Sequence, residues 1–170
     1  MSKQGRSTTT VDPALDGPSN APRTRSVPRG EAASGDASRT VRVPWSASSV
    51  SQVRRALVED LHSRGVAMVT VDESEIVVSE LVSNAIRHAR PLGDGQLRVH
   101  WKVKAGVVEV EVTDGGGDTV PHPAPRTVWA PSGRGLRIVR SLAHEWGVAE
   151  DRHGHTVWAS LGGPSRRRSR

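Results

Sequence analysis

Three polar side chains recur along one stretch of this sequence at a spacing that places them on the same side of a helix. They are Glu80, Asn84 and His88, each four positions after the one before. An α-helix turns by about 100° per residue, so a step of four residues drifts by only about 40° and produces one polar stripe. Carboxylates and imidazoles can exchange protons, and carboxylate and amide oxygens can bind ions. The alternative is a solvated stripe on an ordinary amphipathic helix.

The stretch that carries this stripe has the signals of one long helix. Asp72 and Glu75 form a capping-box-like pair of acids, which predicts the helix start. Pro91 cannot continue a helix and predicts that it ends before that residue. Between these limits apolar residues recur at helical spacing and predict one broad buried face. They are Ile76, Val77, Leu81, Val82, Ala85, Ile86 and Ala89.

Two glycine-rich segments could bind a ligand through their backbone. A run of three glycines follows Asp114, and Gly133–Gly135 precede a segment with helical spacing. Each can be a simple turn. Neither is a P-loop, because no lysine follows a glycine, and a dinucleotide fingerprint would need glycine where Ile138 stands. Gly133–Gly135 still place bare amides at a helix N-terminus, which favours anion binding.

Other patterns predict the elements that position these segments. A first helix precedes the striped helix and is stopped by Gly65. A loop over 119–132 with four prolines separates Asp114 from the second glycine-rich segment. Alternating apolar and polar residues predict five strands, including a hairpin and two closing strands that flank Gly154. The predicted strands span 41–43, 97–103, 108–112, 146–148 and 156–161.

The composition limits the class of protein. A chain of 170 residues suggests one domain. The lack of cysteine excludes disulfides, thiolate metal sites and cysteine nucleophiles. There is no apolar run of membrane-spanning length and no signal-peptide core, so we expect a soluble cytoplasmic protein that does not engage a membrane.

The net charge of +6 belongs to the two ends of the chain. Residues 40–163 hold 14 basic and 14 acidic side chains, whereas the last seven residues hold four arginines. Residues 1–39 nearly lack large apolar side chains, which predicts disorder. We expect a disordered tail (1–39), a folded domain (40–163) and a basic tail (164–170). The neutral charge of the domain argues against direct nucleic-acid binding.

The order of these motifs resembles the GHKL superfamily of ATP-binding proteins. Within it the chain is most similar to the small bacterial anti-sigma regulatory factors that are also serine-protein kinases. The resemblance covers residues 40–162. It rests on Glu80-Leu-Val-Ser-Asn84-Ala-Ile-Arg-His88, on Asp114-Gly-Gly116 and on Gly133-Arg134-Gly135-Leu136. It implies a Bergerat-type α/β sandwich, with a mixed, mostly antiparallel sheet and helices on one face.

The resemblance also implies roles for residues at the two ends of an ATP molecule. Asp114 would accept a hydrogen bond from the adenine amino group, and Gly116 would let the base approach the backbone. Gly133–Gly135 and Leu136 would form the triphosphate site, with Arg134 supplying charge. The 119–132 loop would be a lid.

Along the helix, the resemblance implies that Glu80 is the general base and that Asn84 binds Mg²⁺. His88 is either a phosphate contact or a structural residue at the helix end. The cofactors implied are ATP and Mg²⁺. The implied partners are a sigma factor and an anti-sigma-factor antagonist protein, and a homodimer is also possible.

Three function classes follow from these observations. The first is a serine/threonine-protein kinase that phosphorylates the antagonist and sequesters the sigma factor, which would control transcription. The second is a module in which ATP only sets the conformation for partner binding. The third is a nucleic-acid-binding protein that uses its arginine tails. Glu80 favours the first over the second, because gating needs no general base, and the neutral domain argues against the third.

Overall fold

The computed structural model describes residues 23–24, 37–117, 134–151 and 154–163. Within these residues it has six strands and three helices. In chain order they are β1 (Arg23–Thr24), β2 (Ala37–Pro44), α1 (Ser48–Ser63), α2 (Met68–His88), β3 (Gln96–Lys104), β4 (Val107–Asp114), α3 (Arg134–Leu142), β5 (Glu145–Asp151) and β6 (Gly154–Gly162).

The strands form one sheet in the order β1-β5-β6-β4-β3-β2. All described pairings are antiparallel except that of β1 with β5, which is parallel. The helices cover one face, because the apolar side chains of alternate strand residues share a single core with α1, α2 and α3. The predicted α/β sandwich with a mostly antiparallel sheet is therefore confirmed.

The register of β4 and β6 decides what lies at the end of the core. Val110 pairs with Ala159 and Val112 with Val157, and all four side chains are buried among the helices. Because side chains alternate between the faces of a strand, the next pair on this face is two residues further along. That pair is Asp114 with His155.

The predicted hairpin and helix stop have the expected backbone geometry. Between β3 and β4, Ala105 has φ 49° and Gly106 has φ 77°, which is the sign pattern of a type I′ turn. After α1, the Val66 amide donates to the Leu61 carbonyl at 3.1 Å and Gly65 has φ 66°. These features form a Schellman cap, in which glycine takes the left-handed position without strain.

Helix α2 ends where the sequence predicts but begins earlier. Asp72 and Glu75 lie inside the helix, which starts at Met68 without a side-chain cap, so the predicted capping box is wrong. The reason is tertiary packing. Thr70 and Val71 are buried, and Thr70 lies so close to Gly162 of β6 that a Cβ there would be 2.7 Å from its methyl group.

The buried face of α2 is largely the predicted one, but Val78 belongs to it and Ile76 does not. Ile76 is 46% exposed, whereas Val78 is fully buried. At about 100° per residue, Val78 falls between Ala85 and Val82 around the helix axis, whereas Ile76 lies outside the arc from Val77 to Val82. Val77, Leu81, Val82 and Ala85 remain buried as predicted.

Part of the predicted N-terminal tail belongs to the sheet. Arg23 pairs with Gly147 and Thr24 with Val148, and β2 begins at Ala37, before the predicted boundary at residue 40. The backbone of these residues gains ladder hydrogen bonds, which cannot be predicted from the amino-acid composition of the segment. None of the three helices in the described part of the chain combines the length and the apolar composition of a membrane-spanning segment.

Candidate functional site

The polar stripe of α2 lies at the margin of the core. Glu80 and Asn84 are partly buried, and His88 in the last turn is exposed. Leu81, Val82 and Ala85 bury the neighbouring face of the same helix. The structure therefore brings the three predicted side chains together on one side of α2. Eight residues separate Glu80 from His88, and this corresponds to about 12 Å along the helix.

Glu80 lies against the first turn of α3. A Cβ added to Gly135 would be 2.8 Å from Glu80 Oε2 and 3.7 Å from its Cβ. The next residue, Leu136, is 3% exposed and belongs to the core, as does Val139. Their burial fixes α3 on the sheet and so holds its N-terminal turn beside the carboxylate. The first amides of a helix are unpaired donors, so this turn can bind an anion.

The rest of the predicted triphosphate segment is only partly observed. Gly135 and Leu136 lie at the start of α3 as expected. Of Arg134 only the backbone is described, as the first residue of that helix. Gly133 and the predicted lid over 119–132 lie outside the described residues, so their roles stay predictions.

Asp114 ends β4 as a buried carboxylate with 2% exposure. The Gly116 amide donates to its Oδ1 at 2.8 Å, and Gly116 itself has φ 84°, which favours glycine. Burial raises the pKa of Asp114 above its ordinary value. Hydrogen bonds from the Gly116 and His155 amides and the charge of His155 oppose that rise without cancelling it.

The exit of α2 clamps the turn after Asp114. The Gly115 amide donates to the Arg90 carbonyl at 2.7 Å, and the Arg90 amide donates to the Gly116 carbonyl at 2.9 Å. A Cβ on Gly115 would be 2.0 Å from the Pro91 carbonyl oxygen, and one on Gly117 would be 2.9 Å from that of His88. Only glycine allows this approach. Helix α2 therefore positions Glu80 along its length and the Asp114 turn at its exit.

Sequence reasoning missed three of these residues. It gave Gly115 and Gly117 no role beyond a turn, whereas both are in close backbone contact with the exit of α2. It assigned no place at the nucleotide site to His155, which stands beside Asp114. A run of glycines after a buried strand was the available signal for the first two. For His155 the signal was its alternation with the apolar residues of β6.

The residues present suit a magnesium ion held between protein and phosphates. Asn84 offers an amide oxygen one turn from the Glu80 carboxylate, and Mg²⁺ prefers few protein oxygens together with waters and phosphates. Among the described residues there is no group of three or more His, Cys, Asp or Glu that could hold a metal by itself. The role of Asn84 as the metal ligand stays a prediction.

Comparisons with known proteins agree with this geometry. A model of the histidine kinase-like ATPase domain matches residues 43–161, which is most of the chain. Among solved structures, 13 chains match. One contains the RsbU and RsbW domains of Rv1364c from Mycobacterium tuberculosis, with a TM-score of 0.55 and 20% identity. The match covers 75% of this chain and 34% of that longer one. The comparison with curated proteins gave no match.

At this identity the structural match shows the shared fold. The family model adds the sequence evidence, because it spans β2 to β6 and includes the α2 stripe, the Asp114 turn and the start of α3. The chain belongs to the histidine kinase-like ATPase domain family.

Proposed function

We propose that this chain binds Mg-ATP and transfers its γ-phosphoryl group to a serine of an anti-sigma-factor antagonist protein. The observation that carries the proposal is the position of Glu80. Its carboxylate lies beside the first turn of α3, where a Cβ on Gly135 would be 2.8 Å from Oε2. A carboxylate repels phosphate, so a purely structural carboxylate would be unfavourable beside an anion-binding turn. The position of Glu80 there supports a chemical role.

The two ends of the site suit the two ends of the nucleotide. Asp114 would accept a hydrogen bond from the adenine amino group, at the turn that α2 clamps. The α3 amides would hold phosphate oxygens, with Gly133 and Arg134 beside them. The about 12 Å of α2 between Glu80 and His88 matches the scale of a nucleoside triphosphate. His88 lies at the exposed end of α2, with its backbone beside the Asp114 turn and thus at the base end of the proposed site. This position favours the structural role at the helix end over a phosphate contact.

In the proposed reaction Glu80 takes the proton of the serine hydroxyl. The serine oxygen forms a bond to the γ-phosphorus, the bond to the bridging oxygen breaks, and ADP leaves. Bound Mg²⁺, held through Asn84, would neutralise phosphate charge. The neighbouring turn of α3 would orient the phosphoryl group through its amides.

The proposed partners follow from the sequence resemblance and from the fold shared with a structure that includes an RsbW domain. They are an antagonist that is phosphorylated and a sigma factor that is sequestered, and both would place the protein in the cytoplasm. A homodimer is part of the same proposal. The second candidate is an ATP-gated binding module without transfer, which the same pocket would support if Glu80 had no chemical role.

The experiment compares Glu80→Gln and Asn84→Ala with Asp72→Asn, an exposed acid on the same helix. Calorimetry measures Mg-ATP affinity, and labelled ATP measures transfer to candidate antagonists. Glu80→Gln should bind ATP nearly as wild type but lose transfer by roughly 10²–10⁴-fold. Asn84→Ala should lose both, and Asp72→Asn neither. Unchanged transfer by Glu80→Gln would contradict the kinase proposal. ATP-dependent partner binding without transfer would favour the gated module.

A further inference from the structure

His155 is the cross-strand neighbour of the carboxylate that would recognise the base. It pairs with Asp114 in the antiparallel β4–β6 ladder, on the face that carries the core. Its side chain is 14% exposed. Its backbone amide also hydrogen-bonds the Asp114 carboxylate. The imidazole therefore belongs to the same small space as Asp114 and is largely shielded from water.

The imidazole also borders Gly116. A Cβ on Gly116 would lie 3.8 Å from His155 Nε2 and 3.9 Å from its Cε1, which is ordinary van der Waals contact. On its other side, His155 Nε2 is 3.3 Å from Glu150 Oε1. Asp114, His155 and Glu150 thus form a row of carboxylate, imidazole and carboxylate across β4, β6 and β5.

The charge state of Asp114 decides which base it can bind. An ionised carboxylate only accepts hydrogen bonds and suits the 6-amino group of adenine. A protonated carboxyl can also donate and would suit the 6-oxo group of guanine. Burial without compensation favours the protonated form. A buried aspartate therefore discriminates against guanine only if its surroundings keep it ionised.

We propose that His155, held by Glu150, is the residue that sets the base selectivity of this pocket, because it stands beside Asp114 and keeps that carboxylate an acceptor for 6-aminopurines. The inference rests on the proposed ATP site and adds to it the group that maintains adenine preference. His155 acts through Asp114 and is a positioning residue. The charge on His155 already opposes the effect of burial on the pKa of Asp114.

The charged groups around His155 favour this role. Within the described ranges, the structure places Asp114 of β4 and Glu150 of β5 against it. Both are carboxylates, so the ring stands between two acidic side chains. The exit of α2, which packs on the same turn, contributes main-chain atoms there, and the side chains of His88 and Arg90 are exposed.

The test measures the affinities for ATP and GTP between about pH 5 and about pH 8. The variants are His155→Leu, His155→Lys and Glu150→Gln. The matched control is His100→Leu, because His100 lies on β3 and bonds Thr40 at 2.8 Å on the face away from the core. Thermal unfolding of each variant checks that it is folded.

In wild type the preference for ATP should decline only toward the acid end. In His155→Leu the decline should begin at a higher pH than in wild type, with a measurable loss of ATP-over-GTP preference between the two transitions. His155→Lys restores a positive charge and should restore the wild-type profile. Glu150→Gln should shift the profile in the same direction as His155→Leu but less, and His100→Leu should not shift it.

Two results would overturn the inference alone. One is a His155→Leu profile equal to wild type, with ATP binding still dependent on Asp114. The other is an equal loss of ATP and GTP affinity that His155→Lys does not restore, which is the mark of a purely structural role. If wild-type protein binds neither nucleotide, the proposed function itself fails and this inference fails with it.

Discussion

The fold shifts the pKa values of two partly or fully buried carboxylates in opposite directions. Burial raises the pKa of Asp114, and the neighbouring donors and charge only reduce that rise. Burial also acts to raise the pKa of Asp60. There, hydrogen bonds from Arg64 and Trp101 and the charges of Arg64 and Arg39 outweigh it, so the pKa is lowered. The first carboxylate is therefore costly to keep ionised, and the second is stabilising.

We expect Asp114→Asn to stabilise the unliganded protein at neutral pH while it weakens ATP binding. A raised pKa means that the folded state loses stability as pH rises above the ordinary value of 3.8. The gain in Tm should therefore be small in acid and grow toward neutral pH. The lost acceptor should cost about tenfold or more in ATP affinity. Unfolding curves and calorimetry across pH test this, and a lower Tm of Asp114→Asn at pH 7 would contradict it.

Asp60→Asn should do the reverse and destabilise the fold by about 1–3 kcal/mol at neutral pH. Trp101 Nε1 and Arg64 Nε each donate to Asp60 Oδ2 at 2.7 Å, and the aspartate side chain is 11% exposed. A lowered pKa gives stability that is present above 3.8 and is lost as pH falls through the folded value. Denaturant titration should show the difference shrink in acid. Glu59→Gln, an exposed neighbour on α1, is the control and should have little effect at any pH.

Among the secondary-structure elements, the start of β6 and the end of β4 approach more closely than side chains allow. A Cβ on Gly154 would be 1.8 Å from the Asp114 carbonyl oxygen, and Gly154 has φ 151°. We expect Gly154→Ala to destabilise the fold by about 2 kcal/mol or more and to reduce ATP binding through the displaced turn. Gly93→Ala, with no atom within 4 Å of an added Cβ, should leave both unchanged. Equal unfolding midpoints for the two variants would refute the steric argument.

The elements also show what can be predicted from sequence and what cannot. The stripe of Glu80, Asn84 and His88 and the end of α2 follow from local periodicity and from Pro91, so they were predictable. The start of α2 was not, because it depends on Thr70 packing against Gly162 at the far end of the chain. The pairing of His155 with Asp114 was not predicted either. It depends on the β4–β6 register, which no local pattern sets across residues 115–153 that separate the two strands.

For the whole molecule, the boundary of the folded unit lies before residue 40. Arg39 in β2 has its guanidinium 5.6 Å from the ring centroid of Trp101 and its Nη1 3.8 Å from Asp60 Oδ1. A chain of residues 37–163 should therefore be more stable than one of residues 40–163, by about 1 kcal/mol. Thermal and denaturant unfolding of the two chains would measure this. Arg39→Ala in the longer chain is the control and should reproduce most of the loss.

The clamp between the exit of α2 and the Asp114 turn consists of main-chain groups only. Positions 90 and 115 therefore tolerate substitution differently. Neither hydrogen bond uses the side chain at position 90, so no substitution there removes one except proline, which has no amide hydrogen. At position 115 every substitution adds a Cβ that collides with the Pro91 carbonyl. Substitutions at position 90 can therefore change the surface there, while the shape of the Asp114 turn is kept.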